Sequence, residues 1–276
     1  MSLLEKVLAS CRIHIKLYFL LSILFIPAFV IVILSGIEHR HHEIDSAKER
    51  ALLLVESFAA QQEQIAAGTR QMLNTLAQLP DVRDLNVEAC NKIFLDLNNQ
   101  FPFYSVISAS TPDGNLFAAS VPFSAGHVNL SDRKHIKDVI NTHDFSAGEY
   151  IIGRVSGVQS INYAYPVLDS NKNLRAIVIA SFKLSEYLSF TEQLHLSEGS
   201  AMTISDHRCV RLYRHPEGTD TLVGKPLPDD ALKRILGDSD HGIFEGRGHD
   251  GVERIYGFKR LRLRESAPPY LHLTVG

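Results

Sequence analysis

The sequence predicts an α+β protein: an N-terminal transmembrane helix, a long membrane-proximal helix, and two modules that each hold a central antiparallel sheet flanked by helices. Three observations carry this. Leu17 to Ile37 contains no charged side chain. From Glu38 to Leu79 apolar residues recur at helical spacing, with no proline. Beyond Pro80 an order of two strands, a helix and three strands occurs twice, without the alternating helices that a parallel sheet needs.

At about 1.5 Å rise per residue, a helix over Leu17–Ile37 reaches roughly 30 Å, the hydrocarbon thickness of a bilayer. Pro27 is tolerated where neighbouring groups satisfy the freed carbonyl. The stretch exceeds a signal-peptide core, which favours an uncleaved anchor. Lys6, Arg12 and Lys16 precede it while Arg40, Lys48 and Arg50 follow it, the second set diluted by Glu38, Glu43, Asp45 and Glu49, and residues 1–16 are expected in the cytoplasm. Net charge is −3, with 45% hydrophobic and 21% charged residues, so neither disorder nor nucleic-acid binding is suggested. Cys11, Cys90 and Cys209 are too few and scattered for a disulfide framework. A Cys90–Cys209 bridge and two free, half-buried thiols both remain open.

Ile44, Ala47, Ala51, Leu54, Phe58, Ile65, Met72, Leu76 and Leu79 form one face of a helix over residues 38–80, which Pro80 ends. Part of that stripe is expected on the sheets, and its near-heptad spacing also fits pairing with its own copy in a homodimer. His39-Arg40-His41-His42 lacks a second ligand cluster and is set aside as a metal site. No cofactor is expected.

In the first module, residues 81–185, a short helix over 87–98 precedes strands at 104–109 and 116–120, joined by the turn Thr111-Pro112-Asp113-Gly114-Asn115. Ser131 and Asp132 are expected to cap a helix running to about Asn141. Strands at 149–153, 159–167 and 174–184 follow. In the second module, residues 186–276, a connecting helix over 186–196 leads to strands at 201–205 and 210–214. A helix over 229–236 and strands at 242–245, 252–261 and 270–275 complete it.

With these elements placed, Leu130-Ser131-Asp132-Arg133, Gly148-Glu149-Tyr150, Gly153-Arg154-Val155-Ser156-Gly157, Ala164-Tyr165-Pro166-Val167 and Ala180-Ser181-Phe182-Lys183-Leu184 resemble the extracytoplasmic double Cache sensor domain. This domain, also called the PDC or tandem PAS-like sensor, occurs in bacterial histidine kinases, diguanylate cyclases and chemoreceptors. Val223-Gly224-Lys225-Pro226-Leu227 and Asp250 to Gly257 are similar to its second module. The resemblance covers Glu38 to the end. It implies small-molecule sensing in the membrane-distal first module, beneath the helix near Ser131, on the periplasmic side of the inner membrane.

The family's amino-acid-binding motif is matched at Arg133 and Tyr150. His135 and Ile136 replace two aromatics, Val128 stands at a further tyrosine position, and Ser181 replaces the aspartate that takes the ammonium. An arginine fork at a helix start suits a carboxylate or phosphate, so the ligand expected is a small anion and not an amino acid. The candidate site is Arg133, His135, Tyr150, Arg154, Tyr163, Tyr165 and Ser181, with Gln159, Ser160 and Asn162 as further polar groups. For Arg133 the competing reading is an ion pair with Asp132 or Glu149. For the three tyrosines it is core or cross-strand packing.

Signals for catalysis are absent. Gly246-Arg247-Gly248-His249-Asp250-Gly251 has the G-x-G-x-x-G spacing, but a strand pattern follows it, so it reads as a hairpin turn and not a phosphate loop. Lys259, Arg260, Arg262 and Arg264 have no aromatic between them, and for these and Arg254 anionic headgroups are the expected partner over nucleic acid. The chain is expected to be the sensory half of a longer receptor. The alternative is a membrane-anchored binding or scaffold protein without signalling output.

Overall fold

The computed structural model describes residues 3–124, 126–193, 196, 199–216, 222–228, 233–237 and 239–276. Only the backbone is described for 3–17, 19, 20, 22–24, 27, 28, 190 and 193. Two compact units emerge, Met1–Arg50 and Ala51–Gly276. Helix α1 runs without a break over Leu3–Gln78. It ends where Leu79 turns extended (φ −67°, ψ 133°) ahead of Pro80, since the proline ring disfavours helical geometry in the preceding residue.

In the first unit, Phe25, Phe29 and Val32 are 63, 67 and 68% exposed. Among the described residues no helix is long and apolar enough to cross a membrane. The expected span Leu17–Ile37 is helical, but part of its side chains lie outside the described residues.

The second unit holds both sheets. Pro80–Arg83 (α2) and Val87–Gln100 (α3) lead to β1 (Tyr104–Ser110), β2 (Leu116–Ala119), α4 (Lys134–Thr142), β3 (Ser146–Ile152), β4 (Gln159–Leu168) and β5 (Leu174–Lys183). Glu186–Gln193 (α5) connects to β6 (Met202–Asp206), β7 (Arg211–His215), β8 (His241–Arg247), β9 (Glu253–Arg262) and β10 (Pro269–Val275). The strand orders are β2-β1-β5-β4-β3 and β7-β6-β10-β9-β8, the same pattern twice, and all pairings are antiparallel. The expected helix over 229–236 falls partly outside the described residues; Lys233–Ile235 are helical.

Alternation along the strands decides what lies on each sheet face. Ile161, Tyr163, Val167, Ala176, Val178, Ala180 and Phe182 join Val55, Phe58, Leu73 and Leu76 of α1 in one core cluster. The intervening Ala164, Ile177 and Ile179 pack instead with Ile136 and Val139 of α4. The proximal sheet repeats the arrangement, with Met202, Ile204, Leu271, Leu273 and Val275 in the cluster with α1.

Near its start in this unit, α1 touches β9, where a Cβ on Gly257 would lie 2.6 Å from the Ala51 carbonyl oxygen and Lys259 Nζ pairs with Glu56 at 2.6 Å. Later turns reach the distal sheet. Thr69 Oγ1 and the Tyr104 hydroxyl are 2.7 Å apart, and the Arg70 guanidinium lies 5.9 Å from the Phe145 ring centre.

The structure changes some expectations and meets others. Ser131 and Asp132 do not cap α4. Arg133 is the N-cap residue, without a side-chain cap bond, and Asp132 turns to Arg154. Cys90 and Cys209 are free and buried, which pushes both thiols up to about 11. The basic residues assigned to headgroups are satisfied internally. Arg254 forks onto Asp250, Arg260 and Arg262 hold Asp240, and Arg264 pairs with Asp144. Gly246 to Gly251 closes the β8–β9 hairpin, with Gly251 at φ +79°.

Candidate functional site

A cavity of about 30 Å³ opens on the α4 side of the distal sheet. Its floor is Val106 and Ser108 of β1, Asn162 of β4, and Ile179 and Ser181 of β5. Its wall is the loop from Gly153 to Ser156, and Arg133 at the start of α4 closes it. The volume exceeds the roughly 10–15 Å³ that one water needs, but only by a small multiple.

Arg133 is the distinctive group. Its Nε is buried with no hydrogen-bond partner, and among the described residues the side chain has no ion pair. Burial, and then the neighbouring Arg154, lower its pKa from the usual value. Both acids that might neutralise it are engaged elsewhere. Asp132 takes a two-pronged fork from Arg154, at 2.6 and 2.7 Å, which holds its carboxyl below the ordinary value. Glu149 accepts from Arg208 Nε at 3.2 Å and lies 3.7 Å from His207 Nε2. Neither acid stands within ion-pair distance of Arg133, although both act on it through space. A second buried atom lacks a partner in this cavity, the Asn162 side-chain oxygen.

His135 lies beneath the same helix, 1% exposed, and Asn162 Nδ2 stands 3.4 Å from its Nε2. Burial first, then Arg133 and Lys134, drop its pKa to about 3, so the imidazole is neutral and accepts from the Asn162 amide. Gly148 makes room for it: a Cβ there would stand 3.0 Å from His135 Nδ1. His135 thus orients Asn162 from outside the cavity.

The tyrosines go elsewhere. Tyr163 and Tyr165 pack with the α1-side cluster, on the sheet face opposite Asn162 and Ser181, because β4 side chains alternate. Tyr163 stacks on Phe145 at 5.7 Å and meets Tyr270 edge-on at 6.4 Å. Tyr150 is turned away by a register shift in the β3–β4 pairing between Ala147 and Tyr150. Its N–H donates to Asp206 Oδ2 at 3.0 Å, and its ring fills the space over Gly224, where a Cβ would meet the hydroxyl at 2.8 Å. Ser160 bonds Ser105 and the Val158 carbonyl, and Gln159 is exposed. The cavity thus brings together Arg133, Arg154 and Ser181 with Asn162. Ser108 and Ser156 join them unforeseen, the first because nothing in the sequence distinguishes its β1 face.

Two five-stranded antiparallel sheets in one repeated order, served by one N-terminal helix, define a class: this is the fold of extracytoplasmic tandem sensor domains, as the double Cache resemblance implied. One solved structure with this fold is an extracellular domain designated rpHK1S-Z16 and described as that of a histidine kinase, at TM-score 0.69 and 19% identity. The match covers 82% of this chain and 92% of that one. The ligand-binding domain of the Pseudomonas fluorescens chemoreceptor CtaA, in complex with L-isoleucine, aligns at TM-score 0.63 and 14% identity over 86% and 94% of the two chains. The periplasmic sensory domain of the Campylobacter jejuni chemoreceptor Tlp1 aligns at TM-score 0.62 and 11% identity over 84% and 95%. No protein-family model matches the sequence, and no curated protein matches it significantly.

Proposed function

We propose that the chain is the ligand-sensing half of a bacterial transmembrane receptor, of the histidine kinase or diguanylate cyclase type, anchored in the inner membrane through Leu17–Ile37 with its two modules in the periplasm. The anchor reading rests on a charge-free apolar stretch whose described large side chains are exposed along a helix. The chain itself is read as non-catalytic, and α1 as the element through which a homodimer forms. Signal is a shift between two arrangements of that helix, biased by the ligand's differential affinity.

The ligand is a small carboxylate held in the distal cavity, and the observation that carries this is Arg133. Its buried, partnerless Nε asks for an acceptor, while the Asn162 oxygen asks for a donor. A hydroxy-carboxylate satisfies both. The two chemoreceptor domains solved with L-isoleucine and L-arginine support small-molecule recognition by this fold. Here Ser181, at the position of the ammonium-binding aspartate, argues for an acid without an amine. A cavity of about 30 Å³ must widen to admit it, and the Gly153–Ser156 wall is where that happens.

The test is calorimetry of the chain against a panel of carboxylates, hydroxy acids and amino acids. Arg133→Gln is expected to weaken a verified carboxylate at least 10-fold, the loss of one charge-assisted contact, while Tyr163→Phe leaves affinity unchanged. Unchanged binding in Arg133→Gln sinks the assignment. The second reading, an anchored binding protein without output, predicts a reading frame that carries no second span or signalling module.

A further inference from the structure

A second cavity, of about 90 Å³, lies in the proximal module. It sits on the sheet face away from α1: Thr203 and Thr274 line it, while their strand neighbours Met202, Ile204, Leu273 and Val275 belong to the α1-side cluster. Its walls carry Arg211, Arg214 and Arg234.

Arginines three apart on a strand ordinarily point to opposite faces. Here they converge because Ile204 pairs with Tyr213 while Ser205 pairs with Arg211, which leaves Leu212 as an extra residue in β7. Arg211 is 6% exposed, and its Nη1 donates to the Pro226 carbonyl at 2.8 Å. Burial, and then Arg214, lower its pKa. Arg234 lies over the Phe244 ring at 5.8 Å, and the bare Cα of Gly246 keeps that corner open, since a Cβ there would stand 3.3 Å from the ring. Among the described residues none of these three arginines has an ion pair. A desolvated guanidinium beside a second cation is stable only when something negative is brought to it. Hydroxyls of Thr203, Thr274 and Tyr256 supply further donors at the same cavity.

We propose that the proximal module holds a second ligand site, for a free anion with two or more charged oxygens, such as phosphate or a polycarboxylate. The forks of Arg211 and Arg214 take its oxygens, and Arg234 closes over it. This site is independent of the distal one, so a receptor of this kind reads two anions or one anion twice.

The experiment is calorimetry of the full 276-residue chain in detergent micelles, at ionic strength fixed with chloride, with inorganic phosphate and with citrate as probes. Saturable binding of at least one probe is expected. Arg214→Gln and Arg234→Gln, both outside the buried core, should each weaken it at least 10-fold while keeping the parent circular dichroism spectrum and melting temperature. Arg133→Gln should leave it intact. The proposal is overturned by binding of neither probe, by affinity unchanged in both proximal variants, by loss of binding in Arg133→Gln, or by equal competition from chloride.

Discussion

Asp206 makes the sharpest stability prediction. Its carboxylate is fully buried at the end of β6, where Oδ1 accepts the N–H groups of Arg208 and Val210, both at 2.9 Å, and Oδ2 accepts that of Tyr150 from the other module at 3.0 Å. The two backbone bonds on Oδ1, with Arg208 Nη2 3.4 Å from Oδ2, hold the turn in which Cys209 adopts φ 60°, and the bond from Tyr150 ties the modules together. Hydrogen bonds to charged acceptors contribute about 1.5–3 kcal/mol each. Against that stand the relief of desolvating a buried carboxylate and the return of the partly buried turn amides to water. The net loss in Asp206→Ala should then be about 3 kcal/mol. For a unit of this size that lowers the melting temperature by roughly 6–12 °C. Asp206→Asn keeps one accepting oxygen and should recover about half. Circular dichroism melts and urea titrations read both. A loss below about 1 kcal/mol in the alanine variant, or an asparagine variant as weak as alanine, would refute the carboxylate's role.

Acid should destabilise the protein through its buried imidazoles. Burial lowers His135 from 6.5 to about 3 and His272 to about 4, so below pH 6.5 the unfolded chain binds protons that the folded one refuses. Their contribution is complete above pH 6.5 and is lost as pH falls through the window down to the folded values, by about 2 kcal/mol per imidazole at pH 5. Stability measured from pH 7 to 5 should show a flatter slope in His135→Asn, and an unaltered slope removes the linkage. In α1, Gln62 is 0% exposed and neither of its amide atoms has a partner. Gln62→Leu should therefore raise stability by about 1–3 kcal/mol, checked by urea titration; a destabilised leucine variant would show that the amide is satisfied.

Much of the fold was legible because the signals were local. Pro80 ended α1, Asp113-Gly114 and Asp250-Gly251 marked hairpins, and the repeated order of strands matched the two sheets with strand ends shifted by only a few residues. The site was legible in part. Arg133, Arg154 and Ser181 line the cavity, since a helix start and a sheet face follow from the pattern. Tyr163 and Tyr165 do not, because period two fixes that they share a face but not which face the helix covers. Tyr150 was lost to the bulge in β3, and the Arg211–Arg214 pair was hidden by the bulge in β7. Such irregularities respond to tertiary packing and leave no mark in composition.

Core residues of α1 from Val55 to Ala77 join Tyr104, Phe182, Ile204 and Leu271 in one continuous cluster. The α1-side faces of both sheets therefore share one interior, and each sheet keeps only a smaller cluster of its own on the face away from α1. A two-hinged bead model, in which each module melts or moves alone, does not suit such a molecule. Cooperative melting should include both sheets in a single calorimetric transition whose van't Hoff and calorimetric enthalpies agree. Any event that loosens one module then registers in the other as altered thermodynamic strength, with no dedicated relay of side chains between them.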